Sequence, residues 1–66
     1  MIKASDILIG FLRSQNDREG FMKRADISQG SYYNLVGGKD VGSDTVAKIL
    51  KITGLDFEKA FEVSDE

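Results

Sequence analysis

The sequence predicts an all-α fold of five short helices in one domain, residues 1–66. Three observations carry this. The chain has no proline and little long β-branched alternation, which favours helix over sheet. Apolar residues recur at helical spacing in five separate stretches, most of them preceded by a serine or aspartate able to cap a helix start. The connections between them are short and built from glycine, asparagine and aspartate. A chain of 66 residues buries a modest share of its surface, so the core must be compact and the stability margin small.

Residues 1–4 read as a lead-in. Ser5 caps helix 1, about 5–14, with Asp6 in the first turn and Arg13 near the end, both signs matching the helix dipole. Its apolar stripe is Ile7, Leu8, Phe11 and Leu12, widened by Ile9. Gly10 interrupts the helix at a cost of about 1 kcal/mol relative to alanine, which close approach of another backbone would explain. After the polar turn Ser14-Gln15-Asn16, Asp17 caps helix 2, about 18–25, whose buried face is Phe21, Met22 and Ala25. Arg18 has the wrong sign for a helix start, a placement that suits a docked anion. Ala25-Asp26-Ile27 links to the next helix, with Asp26 able to turn left-handed and Ile27 plugging the gap between helices. Helix 3, about 28–36, is capped by Ser28 and stopped by Gly37-Gly38. Residues 37–42 form a loop. Ser43 caps helix 4, about 44–53, with Val46, Ile49, Leu50 and Thr53 inward, Gly54 as its stop and Leu55 in the accompanying apolar contact of a Schellman turn. Asp56 caps helix 5, about 57–62, whose apolar face is Phe57, Ala60 and Phe61, and residues 63–66 form a frayed acidic tail.

Composition excludes several chemistries. Without histidine or cysteine, histidine-assisted nucleophilic catalysis, the usual zinc sites and disulfides are out of reach. The carboxylates sit mostly at helix starts and in the tail, so an enzyme is not expected, and neither is a cofactor. The spacing around Gly37-Gly38-Lys39 is not that of a phosphate loop, and Asp40-Val41-Gly42-Ser43-Asp44 lacks the ligand series of a calcium loop. No apolar run is long enough to span a membrane and the first residues do not read as a signal peptide, so a cytoplasmic protein is expected. The net charge is −2. Residues 1–54 carry eight basic and six acidic side chains, whereas residues 55–66 carry Lys59 against Asp56, Glu58, Glu62, Asp65 and Glu66. The acidity is therefore gathered at one end, and a surface away from it can be electropositive.

Helix 3 carries the functional signal. Tyr32, Leu35 and Val36 share one face; Gly30 and Asn34 lie opposite, flanked by Gln29, Ser31 and Tyr33. The outer face offers amides, a hydroxyl and a phenol without charge, which suits the reading of base edges in a DNA groove. Helix 2, a three-residue turn and helix 3 are spaced as a helix-turn-helix. Over roughly residues 5–62 the chain resembles the lambda-repressor-like helix-turn-helix family, the Cro/XRE class of phage Cro and repressor proteins. The passage Ala25-Asp26-Ile27-Ser28-Gln29-Gly30-Ser31-Tyr32 looks like that family's A-G-I-S-x-x-x-apolar segment, and Gly37-Gly38-Lys39 like its E-N-G-K close. Thr45-Val46-Ala47-Lys48-Ile49-Leu50-Lys51 is similar to its T-L-L-K-I-A-K helix, and Leu55-Asp56-Phe57-Glu58-Lys59-Ala60-Phe61 to its closing V-S-L-D-E-L-F. The chain departs from the pattern at Met22, where the family has a small residue, and at Asp26, where it has glycine.

The resemblance implies a sequence-specific transcriptional regulator. Gln29, Gly30 and Asn34 match positions that face bases, and Tyr33 is placed to touch a thymine methyl or a phosphate. Arg18 matches a phosphate-contacting position, joined by Ser28, Ser31 and Lys39. The implied partner is double-stranded DNA with a roughly palindromic operator, bound by a homodimer with half-sites about 34 Å apart, in a bacterial or phage-infected cell. So small a module has little surface for specificity alone. Leu55, Phe57 and Phe61 exceed what a short helix needs for itself and are the expected dimer surface. A different reading keeps the fold but binds protein, as a repressor partner or antitoxin-like modulator; the acidic balance, Asp26 and Gly30 favour it.

Overall fold

A computed structural model describes residues 1–64. It is a small, mostly helical domain with five helices and a two-stranded sheet: β1 Ile2–Ala4, α1 Asp6–Arg13, α2 Arg18–Ala25, α3 Gln29–Val36, α4 Ser43–Thr53, α5 Phe57–Ala60 and β2 Phe61–Val63. The sheet corrects the sequence reading at both ends. The lead-in is a strand, α5 stops at Ala60, and Phe61 and Val63 belong to an antiparallel partner strand rather than to a longer helix and a frayed tail. Asp65 and Glu66 lie outside the described residues. Ile2 faces Val63, Lys3 faces Glu62 and Ala4 faces Phe61, so opposite charges meet on one face and the two core side chains on the other.

Ser5 joins the sheet to the helices. It is buried; its N–H donates to the Ala60 carbonyl at 2.8 Å, and its hydroxyl donates to the Lys59 carbonyl while accepting the Leu8 N–H as the cap of α1. Both chain ends are thereby fixed to one hydroxyl. Ser5→Ala leaves a capped N–H and a carbonyl without that partner, and is expected to cost about 1–2 kcal/mol, read as a lower midpoint in urea denaturation.

The core gathers Leu8, Leu12, Phe21, Tyr32, Leu35, Val46, Ile49 and Phe61. Four aromatic rings cross it edge to face, from Phe11 to Phe21 (6.2 Å), Phe21 to Tyr32 (6.4 Å) and Tyr32 to Tyr33 (6.1 Å). The buried Tyr32 hydroxyl donates to the Leu12 carbonyl at 3.0 Å, tying α3 to the end of α1. Val41, in the stretch expected as a loop, is buried and its N–H donates to the Ile2 carbonyl. The Asp40 carboxylate accepts the Ile2 N–H at 2.9 Å, so this segment lines the outer edge of β1. With Val41 held, α4 begins one residue early: Gly42 is its N-cap, and Ser43, expected to cap, is its first residue.

The helix stops explain the tight connections. Past α3, the Gly38 N–H donates to the Leu35 carbonyl and the Lys39 N–H to the Asn34 carbonyl, the Schellman pattern, with Gly38 at φ 70°. Past α2 the same pattern recurs with Asp26 at φ 58°, and Ile27, packed on the core, at the following position. Past α4, Gly54 turns left-handed with the single bond of its N–H to Leu50, and the Leu55 N–H donates to the Thr53 hydroxyl instead of completing a Schellman turn.

In α1 the stripe is narrower than expected. Leu8 and Leu12 are buried, whereas Ile7 is 60% and Phe11 39% exposed. The neighbours α3, α5 and β1 cover one side of this helix. Five of its eight residues are apolar, and one face cannot hold them all.

Candidate nucleic-acid interface

The expected reading residues stand on one exposed surface of α3. Gln29, Gly30 and Asn34 are exposed, and Tyr33 is 52% exposed. The opposite face anchors the helix through buried Tyr32 and Leu35. Gln29 Nε2 donates to the Tyr33 hydroxyl at 3.2 Å. One amide hydrogen is thus engaged in holding the phenol, and the second hydrogen and the amide oxygen remain for a base edge. Gly30 adds no side chain, so the middle of the surface is a shallow gap between Gln29 and Asn34.

Ser28 and Ser31 are tied to each other. The Ser28 hydroxyl accepts the Ser31 N–H at 3.1 Å as the N-cap and donates to the Ser31 hydroxyl at the same distance. Lys39 is exposed just past the far end of α3, away from Ser28 and Ser31. Arg18 opens α2, whose cap Asp17 accepts the Gly20 N–H at 3.0 Å. A side chain at residue 20 would collide with that carboxylate, so Gly20 preserves the cap.

Arg18 and Tyr33 line a cleft of about 480 Å³ together with Arg13, Gln15, Asn16 and Val36. Arg18 also borders a smaller recess with Glu19, Met22 and Gln29. The fold therefore brings two guanidinium groups, two amides and a phenol to one side of the α3 surface. Arg13, Gln15 and Asn16 were not singled out for this in the sequence. Arg13 has a sufficient local role at the end of α1, and only the packing of α1 against α3 brings it beside Tyr33 and Val36. Arg side chains and neutral amides around an open cleft suit the oxygens of a phosphate backbone.

A second cleft, of about 460 Å³, is lined by Arg24, Lys48, Lys51 and Ile52 with Ala25 and Asp26. Lys48 lies 3.6 Å from the Asp26 carboxylate, whose side chain is 91% exposed. An ion pair this exposed contributes little to stability, so the cost of the left-handed turn dominates at residue 26. Asp26→Gly removes that cost and is expected to stabilise the fold by about 0.5–1 kcal/mol, raising Tm by roughly 3–6 °C for a chain of this size in a circular dichroism melt.

Of the expected dimer residues, Phe61 is 2% exposed and sits in the core beside Ala60, while Leu55 and Phe57 are half-buried and pack against it. The Phe57 and Phe61 rings stack at 5.7 Å. Phe61 is thus covered within the chain, whereas Leu55 and Phe57 keep part of their surface exposed. Among the described residues there is no cluster of acidic side chains able to hold a metal ion, and no helix is long and apolar enough to cross a membrane. Compared with protein-family models, curated proteins and solved structures, the chain matches none.

Proposed function

We propose that this chain is a small DNA-binding regulator of transcription of the Cro or repressor kind, in which α2, the turn at Asp26–Ser28 and α3 act as a helix-turn-helix. In this reading α3 enters the major groove of a palindromic operator and two copies bind one site. The observation that carries it is the uncharged, exposed surface of Gln29, Tyr33 and Asn34 flanked by the cleft that holds Arg13 and Arg18. Neutral amides discriminate bases, and cations beside them hold the backbone. Gln29 and Asn34 each offer the donor–acceptor pair that adenine presents in the major groove. Lys39, and the hydroxyls of Ser28 and Ser31 once turned outward, add backbone contacts.

The test is a band shift on DNA fragments selected by the protein from a random pool. Asn34→Ala is expected to lower affinity for the selected site about 5- to 100-fold, the value of one good base contact, with little change on random DNA and an unchanged melting curve. No retardation of any fragment at low salt would sink the reading.

A second reading, a protein-binding modulator that does not read the groove, is favoured by the cleft around Arg24, Lys48 and Lys51. Its cations surround the apolar surface of Ile52 on the side of α2 and α4, an arrangement suited to an acidic segment of another protein. Loss of function on Lys48→Glu with operator binding intact would favour it.

A further inference from the structure

The outer face of α1 is left largely uncovered: Phe11 meets the core only through its edge-on contact with Phe21, and of this helix only Arg13 borders the candidate interface. Ile7, Gly10, Phe11 and Ser14 follow one another at i, i+3, i+4 and i+7 and are all exposed, Ile7 by 60% and Phe11 by 39%. This is a short apolar stripe with a glycine in its middle. A Cβ added at Gly10 would meet nothing within 4 Å among the described residues, so the chain's own packing does not require glycine there. A glycine in a helix interior still costs stability. Close approach of a backbone from outside the molecule would account for it.

The charges of α1 say which molecule. Asp6 and Arg13 are seven residues apart, both exposed, and two full turns bring them to the same side of the stripe. If two copies of α1 cross antiparallel about a two-fold axis near Gly10, Ile7 of each meets the Gly10–Phe11 region of the other. Asp6 of each then lies beside Arg13 of the other. A self-complementary patch of this kind is what a two-fold contact demands. We propose that α1 is the self-association surface of this chain, packing against α1 of a second copy through Ile7, Gly10 and Phe11 with Asp6–Arg13 pairs at either end.

This deepens the dimer part of the reading above and moves the contact away from Leu55, Phe57 and Phe61. The patch is small, so the dimer is weak, at the low end of specific interfaces, and its formation rises with concentration.

The test contains no DNA, so its failure is separable from failure of the DNA reading. Sedimentation velocity of the full chain from micromolar to millimolar concentration is expected to show a monomer–dimer equilibrium. Ile7→Lys, at a solvent-exposed position, abolishes it without moving the melting temperature. Asp6→Arg and Arg13→Asp each weaken association about tenfold, and the two together restore it to near the original value. Gly10→Cys supplies the chain's one thiol. With diamide as oxidant, which takes up two electrons and two protons as the S–S bond forms, it yields a covalent dimer well above the level of a Glu58→Cys control. A monomer at every concentration, a dimer that survives Ile7→Lys or is lost instead with Phe57→Lys, no rescue in the charge swap, or equal cross-linking at residues 10 and 58 would each overturn the proposal.

Discussion

Phe21→Ala is expected to remove most of the stability of this domain. Phe21 is 2% exposed and its ring makes edge-to-face contacts with both Phe11 and Tyr32. Truncating a buried phenylalanine costs about 3–5 kcal/mol, the lost transfer energy plus the cavity left behind. A domain of this length has roughly 3–10 kcal/mol to lose. Phe21 also lies between α1 and α3, so the cavity opens where α3 is supported. With an m-value of about 1 kcal/mol/M in urea, the unfolding midpoint should fall by about 3 M or the folded baseline should vanish. Ile7→Ala is the comparison. Although Ile7 is apolar and lies in the apolar stripe expected to pack α1 on the core, it is 60% exposed, and its truncation should change stability by no more than about 0.5 kcal/mol. Equal losses at the two positions would mean that the packing of α1 is rotated from that described.

The helices were legible because their signals are local. Ser5, Asp17 and Ser28 each cap the helix that follows them, and Asp26, Gly38 and Gly54 adopt the left-handed turns that stop three helices. A cap is decided by a residue and the three after it, and so can be read without the fold. The strands escaped because three residues are too few to display a period of two, and because β1 and β2 are made only by each other, some sixty residues apart. Val41 escaped for the same reason: its burial depends on the bond of its N–H to Ile2. In α1 the pattern itself was ambiguous. With five apolar residues in eight, spacing cannot tell Leu8 and Leu12 from Ile7 and Phe11; the positions of α3, α5 and β1 decide. Phe61 was misread in the opposite sense, as surplus surface, because its place in the core comes from pairing with Ala4. The candidate interface divides along the same line. Gln29, Gly30, Tyr33 and Asn34 follow from one helix and its faces, whereas Arg13, Gln15 and Asn16 come beside Tyr33 and Val36 only through the meeting of α1 and α3.

Binding to DNA is expected to fall steeply with salt, and the steepness counts the cations involved. Arg13 and Arg18 line the cleft beside Tyr33, and Lys39 lies beyond the other end of α3. With Arg13 engaged at the α1 contact, Arg18 and Lys39 in each of two copies neutralise about four phosphates, which gives a slope of log affinity against log salt near −4. Between 50 and 200 mM salt the affinity should then drop by about 10²-fold. Against the chain's net charge of −2, Glu58 and Glu62 belong to α5 and β2 and Asp56 caps α5, and repulsion between charges more than a Debye length apart, about 10 Å at 0.1 M, is screened. Arg18→Ala removes one contact per copy. It should make the slope shallower by about 2 and weaken operator and random DNA alike. Asn34→Ala should leave the slope unchanged while reducing the preference for the operator. That difference separates the two halves of the surface. If Arg18→Ala altered preference between sites at constant slope, Arg18 would be reading bases. If neither variant changed slope or preference, the cleft and α3 would not be the DNA-facing surface, and the cations around Lys48 and Lys51 would be the next place to look.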